Sequence, residues 1–236
     1  MTTAKPQPVS PATPAGPAFV RIPDPPERHP DDMTSFIHLS RTGSVAYLID
    51  HFGNPDITVI GGELYLQPEL NTPQSERRVP DLYIAFGVDS AAYYARNAYV
   101  IAEQGKPPDF VLEIASPTTA DQDLGPKRDD YESWGVTEYW RFDRTGQYHG
   151  DRLAGDRLVD GRYQPIDVAQ VSNEEWRGYS AALDLYLAWN AGQLLWIDPA
   201  TASSITTLAD ERAARQQAEA RVQELEAELR QLRGLT

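Results

Sequence analysis

The stretch Asp109-Phe-Val-Leu-Glu-Ile-Ala-Ser-Pro-Thr-Thr119 decides the fold. Phe110 to Ile114 is a short run of branched and aromatic residues ending at a Ser-Pro turn signal, which reads as a strand. Glu113 lies inside it. A carboxylate in a strand core costs several kcal/mol unless it is paired or binds a metal, so this strand is expected to carry a site. Downstream, the pattern predicts helix over residues 119–134, stopped by Gly135. Pro126 suits a first helical turn better than a helix middle. The helix is therefore read as split, with Asp123 in a turn before it. Residues 138–143 form the next strand. Upstream, residues 79–88 form another, whose Leu82-Tyr-Ile-Ala-Phe86 core predicts burial on both faces. Asp81 opens it.

Farther out, Val45, Leu48, Ile49 and Phe52 share one face of a helix over Ser44–Phe52, which Asn54-Pro55 ends. Residues 57–66 read as a hairpin or paired strands around Gly61-Gly62. Residues 91–99 read as a short helix or irregular segment. Residues 146–188 read as further hairpins, with turns at Gly150-Asp151, Gly155-Asp156 and Asp160-Gly161. The expected class is α/β (α+β), with a mixed central sheet flanked by helices. Residues 1–30, rich in Pro, Ala and Thr, read as a disordered arm. Residues 31–200 read as the core domain and 201–236 as a C-terminal helix. There Ala218, Val222, Leu225, Leu229 and Leu232 follow the 4-3-4-3 spacing of a coiled-coil seam, with Arg215 and Glu211 at the upstream positions.

The 236 residues suit one core domain with flanking segments. The chain has no cysteine, which excludes disulfides and zinc-thiolate sites. No secretory h-region and no apolar run of membrane-spanning length is visible, so a cytoplasmic protein without a membrane partner is expected. The net charge of −14 argues against broad electrostatic binding of nucleic acid. The lysines are Lys5, Lys106 and Lys127 only. Contact with nucleic acid would therefore be local, metal-bridged, or made by a subset of arginines.

Two acids on neighbouring strands and a lysine on the following helix match the needs of phosphodiester hydrolysis. That reaction needs a water deprotonated and aimed in line, and compensation for charge at phosphorus. Mg²⁺ (or Mn²⁺) held by carboxylates supplies both, with few protein ligands and several retained waters. A lysine can orient the water and stabilise charge. Asp81 and Glu113 are the candidate carboxylates and the Ile114 carbonyl a third oxygen. Lys127, one turn before Tyr131, is expected to point the same way. Each has a plainer reading: a turn acid for Asp81, a solvated helix lysine for Lys127, a helix-start acid for Asp123, and a packing tyrosine for Tyr131. Ser116 before proline reads as a turn residue rather than a nucleophile. Arg77-Arg78 could meet phosphate or face solvent. His29, His38, His51 and His149 show no ligand spacing.

Pro80-Asp81, Val111-Leu-Glu113-Ile-Ala-Ser-Pro117, Asp123, Lys127, Tyr131, Gly135-Val136, Glu138-Tyr-Trp140 and Asp143 together resemble the Uma-type putative restriction endonuclease family, within the PD-(D/E)XK nuclease superfamily. The resemblance covers about residues 44–200, and the C-terminal tail, rich in Ala, Glu, Gln and Arg, resembles that of a subset of the family common in bacteria. It implies a restriction-endonuclease-like core, with Asp81 and Glu113 as metal ligands and Lys127 as the catalytic lysine. In the wider superfamily that lysine lies two residues after the acid, where this chain has Ala115. Glu63 is the candidate for a further accessory acid. DNA is the expected substrate. A homodimer, through the core or the coiled-coil tail or both, is the expected assembly. Two alternatives stand beside this. One is a catalytically degenerate nuclease fold serving as an assembly module through its tail. The other is an enzyme acting on RNA or a nucleotide phosphate.

Overall fold

A computed structural model describes residues 20–26, 39, 44–205 and 208–234. Phe110–Ile114 forms β5, buried throughout, inside a mixed six-stranded sheet. On one side β5 pairs antiparallel with β3 (Leu82–Phe86), and β3 pairs with β1 (Thr58–Gly61). On the other side it pairs in parallel with β6 (Glu138–Phe142). Two antiparallel strands, β7 (Leu153–Val159) and β8 (Arg162–Pro165), complete the sheet. A parallel pair needs a long crossover. Here it is helical and split: α4 (Ala120–Leu124), then α5 (Pro126–Trp134). The break falls at Gly125-Pro126, with the proline in the first turn of α5. Gly135, left-handed at φ 84°, ends α5 and donates its N–H to the Glu132 carbonyl. Asp123 sits within α4 rather than in a turn, because the Ser116-Pro117 turn starts the helix early and the Asp123 N–H already bonds Thr119 O at 3.0 Å.

Strand alternation gives the sheet two different faces. Phe110, Leu112 and Ile114 join Leu82, Ile84, Trp140 and Phe142 on one face. They pack against α1 (Ser44–Phe52) and a second, five-stranded antiparallel sheet. That sheet runs β9 (Val168–Ser172), β10 (Glu175–Ser180), β11 (Leu185–Asn190), β12 (Gln193–Asp198) and β13 (Ser203–Ser204). Leu185, Leu187, Trp189 and Trp196 face this core, and the Trp196 ring meets Phe110 edge-on at 5.9 Å. The other face carries Val111, Tyr83, Ala85 and Tyr139 against Tyr131 and Val136. Glu113 shares the parity of Val111 and so lies under the helical crossover.

Two local readings change. Residues 57–66 do not form a hairpin: β1 pairs with β3, while β2 (Tyr65–Gln67) pairs in parallel with β4 (Ala98–Val100). Gly61 marks a close approach, since a Cβ there would lie 2.5 Å from the Tyr93 hydroxyl. The chain then turns away at Glu63, left-handed at φ 57°. Gly155-Asp156 is not a turn but lies inside β7, where Gly155 faces Trp140. Asp160 and Gly161, both at positive φ, do form the two-residue β7–β8 turn. Residues 91–99 resolve into α2 (Ser90–Arg96), capped by the Asp89 carboxylate, and β4. α3 (Ile101–Gln104) follows.

Residues 1–19 and 27–30 of the expected arm lie outside the described residues. The stretch from Val20 to Pro26 is tied to α2: Ile22 is buried, its N–H donates to the Arg96 carbonyl, and Asn97 Nδ2 donates back to Ile22 O. At the other end α6 (Leu208–Gly234) carries Val222, Leu225 and Leu229 exposed. The side chains of Ala218 and Leu232 lie outside the description. Among the described residues no helix is long and apolar enough to cross a membrane.

Candidate active site

The β3–β5 register pairs Leu82 with Leu112. One residue further, Asp81 stands opposite Glu113. Cross-strand neighbours share a face, so both acids belong to the helix-covered side. Asp81 and Glu113 are buried, at 1% and 0% exposure. Asp81 Oδ2 accepts the Ile114 N–H at 2.8 Å. Tyr131 Oη donates to Glu113 Oε1 at 2.7 Å, and Lys127 Nζ lies 2.9 Å from Glu113 Oε2. Lys127 and Tyr131 are four residues apart on α5, and that spacing aims both at one carboxylate.

Lys127 has a second partner. Its Nζ lies 2.7 Å from Asp123 Oδ1. Asp123 is fully buried and is held in turn at Oδ2, by Thr119 Oγ1 at 3.3 Å and His149 Nε2 at 3.2 Å. Tyr139 Oη donates to its main-chain carbonyl at 2.8 Å. His149 arrives from a loop wound around Asp143. That carboxylate accepts the N–H groups of Thr145, Gly146, Tyr148 and His149. Burial pushes Asp143 up, but these backbone donors outweigh it and hold it below the usual carboxylate range.

Burial alone would drive Lys127 toward its neutral form. Glu113, Asp123 and Asp81 oppose this, in that order, and the net effect raises its pKa above the ordinary lysine value. Burial pushes the Tyr131 hydroxyl upward, with Glu113 adding to the shift, so it stays a proton donor. Three buried carboxyls thus face one ammonium, an acid excess that suits a divalent cation. Among the described residues no three Asp, Glu, His or Cys side chains are grouped closely enough to enclose a metal by themselves. The donor set is instead two buried hard carboxylates, the type of oxygen ligand that Mg²⁺ takes in small number. Glu113 uses one direction on each oxygen, and a carboxylate offers about four in all.

The structure thus brings together Asp81, Glu113, Lys127 and Tyr131, with Ile114 meeting Asp81 through its N–H. The half-buried Glu63 sits beside them by its backbone, its N–H donating to Pro80 O at 3.0 Å. Arg78 pairs with Asp130 of α5 rather than with the site acids, and Arg77 lies over the Tyr65 ring. Asp123 and His149 are the additions. The four-residue spacing of Asp123 to Lys127 was a usable signal, masked by the Gly-Pro break. For His149 the sequence offered none, because its partner is 26 residues away.

No curated protein matches the chain. A solved structure titled as a putative nuclease belonging to DUF820, from Anabaena variabilis, is similar at 14% identity and TM-score 0.38, over 64% of this chain and 76% of that one. Residues 32–190 match the family described as "Uma2: Putative restriction endonuclease". The chain belongs to that family.

Proposed function

We propose that this chain is a Mg²⁺-dependent (or Mn²⁺-dependent) endonuclease hydrolysing phosphodiester bonds of DNA, in the cytoplasm, as a homodimer. The observation that carries the reading is the convergence of Lys127 on Glu113 at 2.9 Å, with Asp81 opposite on the next strand. Asp81, Glu113 and the Ile114 carbonyl would hold the metal, which when bound supplies Lewis acidity and an activated water. The chain's own groups do the rest. Lys127 holds a positive charge where charge develops on the phosphate. Tyr131 fixes the orientation of Glu113 through its hydroxyl. The apolar face behind β5 keeps the site rigid, which preserves the alignment of nucleophile and phosphate.

The test is incubation of the protein with supercoiled and linear DNA, with Mg²⁺, with Mn²⁺ and with neither. Metal-dependent nicking, lost in Asp81→Asn and Lys127→Ala at unchanged melting temperature, is the expected result. No nicking with either metal, together with no metal-induced melting shift, would overturn it and favour the assembly-module alternative.

A further inference from the structure

A lysine side chain gives up much rotamer freedom when it is fixed. Something must hold Lys127, and one carboxylate leaves its four-carbon stem free to swing. The structure shows a closed circuit of contacts that prevents this. It starts on β5, where Glu113 Oε2 meets Lys127 Nζ, and passes from Lys127 to Asp123 Oδ1 at 2.7 Å. From Asp123 Oδ2 it passes to His149 Nε2 at 3.2 Å. The His149 N–H then donates to Asp143 Oδ2 at 2.9 Å. Asp143 directly follows β6, the strand parallel to β5. The circuit therefore begins and ends on adjacent strands.

Burial makes each joint matter. His149 and Asp123 side chains are exposed by 1% and 0%. Neither Glu113 Oε2 nor Asp123 Oδ1 has a hydrogen-bond donor among the described residues apart from the lysine ammonium. Asp123 sits on a five-residue helix, too short to be rigid alone. Its carboxylate is steadied by Thr119, the N-cap of that helix, and by His149 from a separate loop.

We infer that Asp123 and His149 are positioning residues that clamp the Lys127 ammonium against Glu113, with the Asp143 loop as the anchor of the clamp. The inference rests on the nuclease reading for its catalytic consequence, but not for its structural one. Neither residue touches the reacting atoms. The histidine acts as a hydrogen-bond donor to Asp123, so an amide that donates from the same reach can replace it.

The chain has only three lysines, so Lys127 can be followed one site at a time. The experiment acylates the full-length protein with acetic anhydride and reads Lys127 and Lys106 by mass spectrometry. Lys106, ion-paired with Asp109 away from the site, is the internal control. His149→Leu and Asp123→Asn are expected to raise the Lys127 acylation rate about 10-fold, with Lys106 unchanged, and His149→Gln to restore it. With supercoiled DNA and Mg²⁺, the same two variants are expected to lose about 10- to 100-fold in kcat at unchanged KM, and His149→Gln to recover most of it. Unchanged Lys127 labelling in His149→Leu would overturn the clamp, as would a parallel rise at Lys106, which marks general loosening. If labelling responds as expected and the wild-type protein cleaves no DNA, the clamp stands and the nuclease reading falls.

Discussion

Lys127 shows how residue-scale forces compete at this site. Burial opposes its charge, three carboxylates favour it, and the carboxylates win. A lysine whose folded pKa is raised contributes stability in full below the ordinary lysine value of about 10.4, and loses it as pH rises through the folded value. The stability difference between wild type and Lys127→Met is therefore expected not to shrink from pH 6 to 9 and to narrow only in stronger alkali. Chemical denaturation across that range checks it. The variant strands Glu113 and Asp123 as buried acids and is expected to cost about 3 kcal/mol near neutrality. A difference that shrinks between pH 6 and 9 would refute the shift. The pH–rate profile of cleavage should likewise show no limb from Lys127 in that window. The sequence made Glu113, Lys127 and Tyr131 legible because strand context and an i,i+4 pair are local signals. His149 was not legible because its role is fixed by a loop templated on Asp143, and a loop conformation leaves little periodicity to read.

At the scale of elements, one indole and one acid add specific contacts between two sheets whose apolar faces already pack together. Trp140 of β6 lies between Gly155 of β7 and Gly178 of β10, where a Cβ would come within 2.8 Å of the ring at either position. Its Nε1 donates to Glu138 Oε2, which also accepts the Ser180 hydroxyl at 2.6 Å, tying β6 to β10. Gly155→Ala is expected to lose about 2 kcal/mol by overpacking, seen as a lower melting temperature; an unchanged midpoint would show that the sheets can part without cost. Gly155 was read as a turn because glycine signals both turns and close packing, and only the partner strand tells them apart. The split helix, in contrast, was legible from Pro126 and Gly135, whose backbone limits are intrinsic. A second link holds α5 to the sheet: Asp156 of β7 bonds Arg128 of α5 at 3.0 Å and Arg141 of β6 at 2.7 Å. Burial raises the Asp156 pKa, but both arginines outweigh it and the net shift is downward. Such a carboxylate contributes stability above its unfolded pKa of about 3.9 and loses it as pH falls through the folded value. Asp156→Asn is therefore expected to melt lower at pH 7 and to converge on wild type in acid, below about pH 4. A gap that persists unchanged to pH 2 would exclude the ionic origin.

For the whole molecule, a net charge of −14 would leave the holding of a nucleic-acid substrate to site-local chemistry rather than bulk attraction. Mg²⁺ is accordingly expected to raise the melting temperature of the wild type and to have a smaller effect on Asp81→Asn, since a ligand that binds only the folded state stabilises it. The remaining large feature is α6. Val222, Leu225 and Leu229 lie on one stripe of this helix, 54%, 42% and 50% exposed. Taking Val222 and Leu229 as a positions and Leu225 as d places Arg221 at g and Glu226 at e. In a parallel, in-register pair these two meet across the seam as opposite charges. Within one chain Arg221 pairs with Glu224 instead. The seam is short, so the dimer is expected to be marginal and concentration-dependent. Light scattering at tens of micromolar is expected to give the mass of two chains, and Leu225→Glu the mass of one. Glu226→Arg should weaken the dimer by placing two arginines together, and adding Arg221→Glu should restore it. A monomeric wild type would remove α6 as an assembly element. A Leu225→Glu dimer would move the interface to the core, where the β5 site and its clamp would then have to be read beside a second copy.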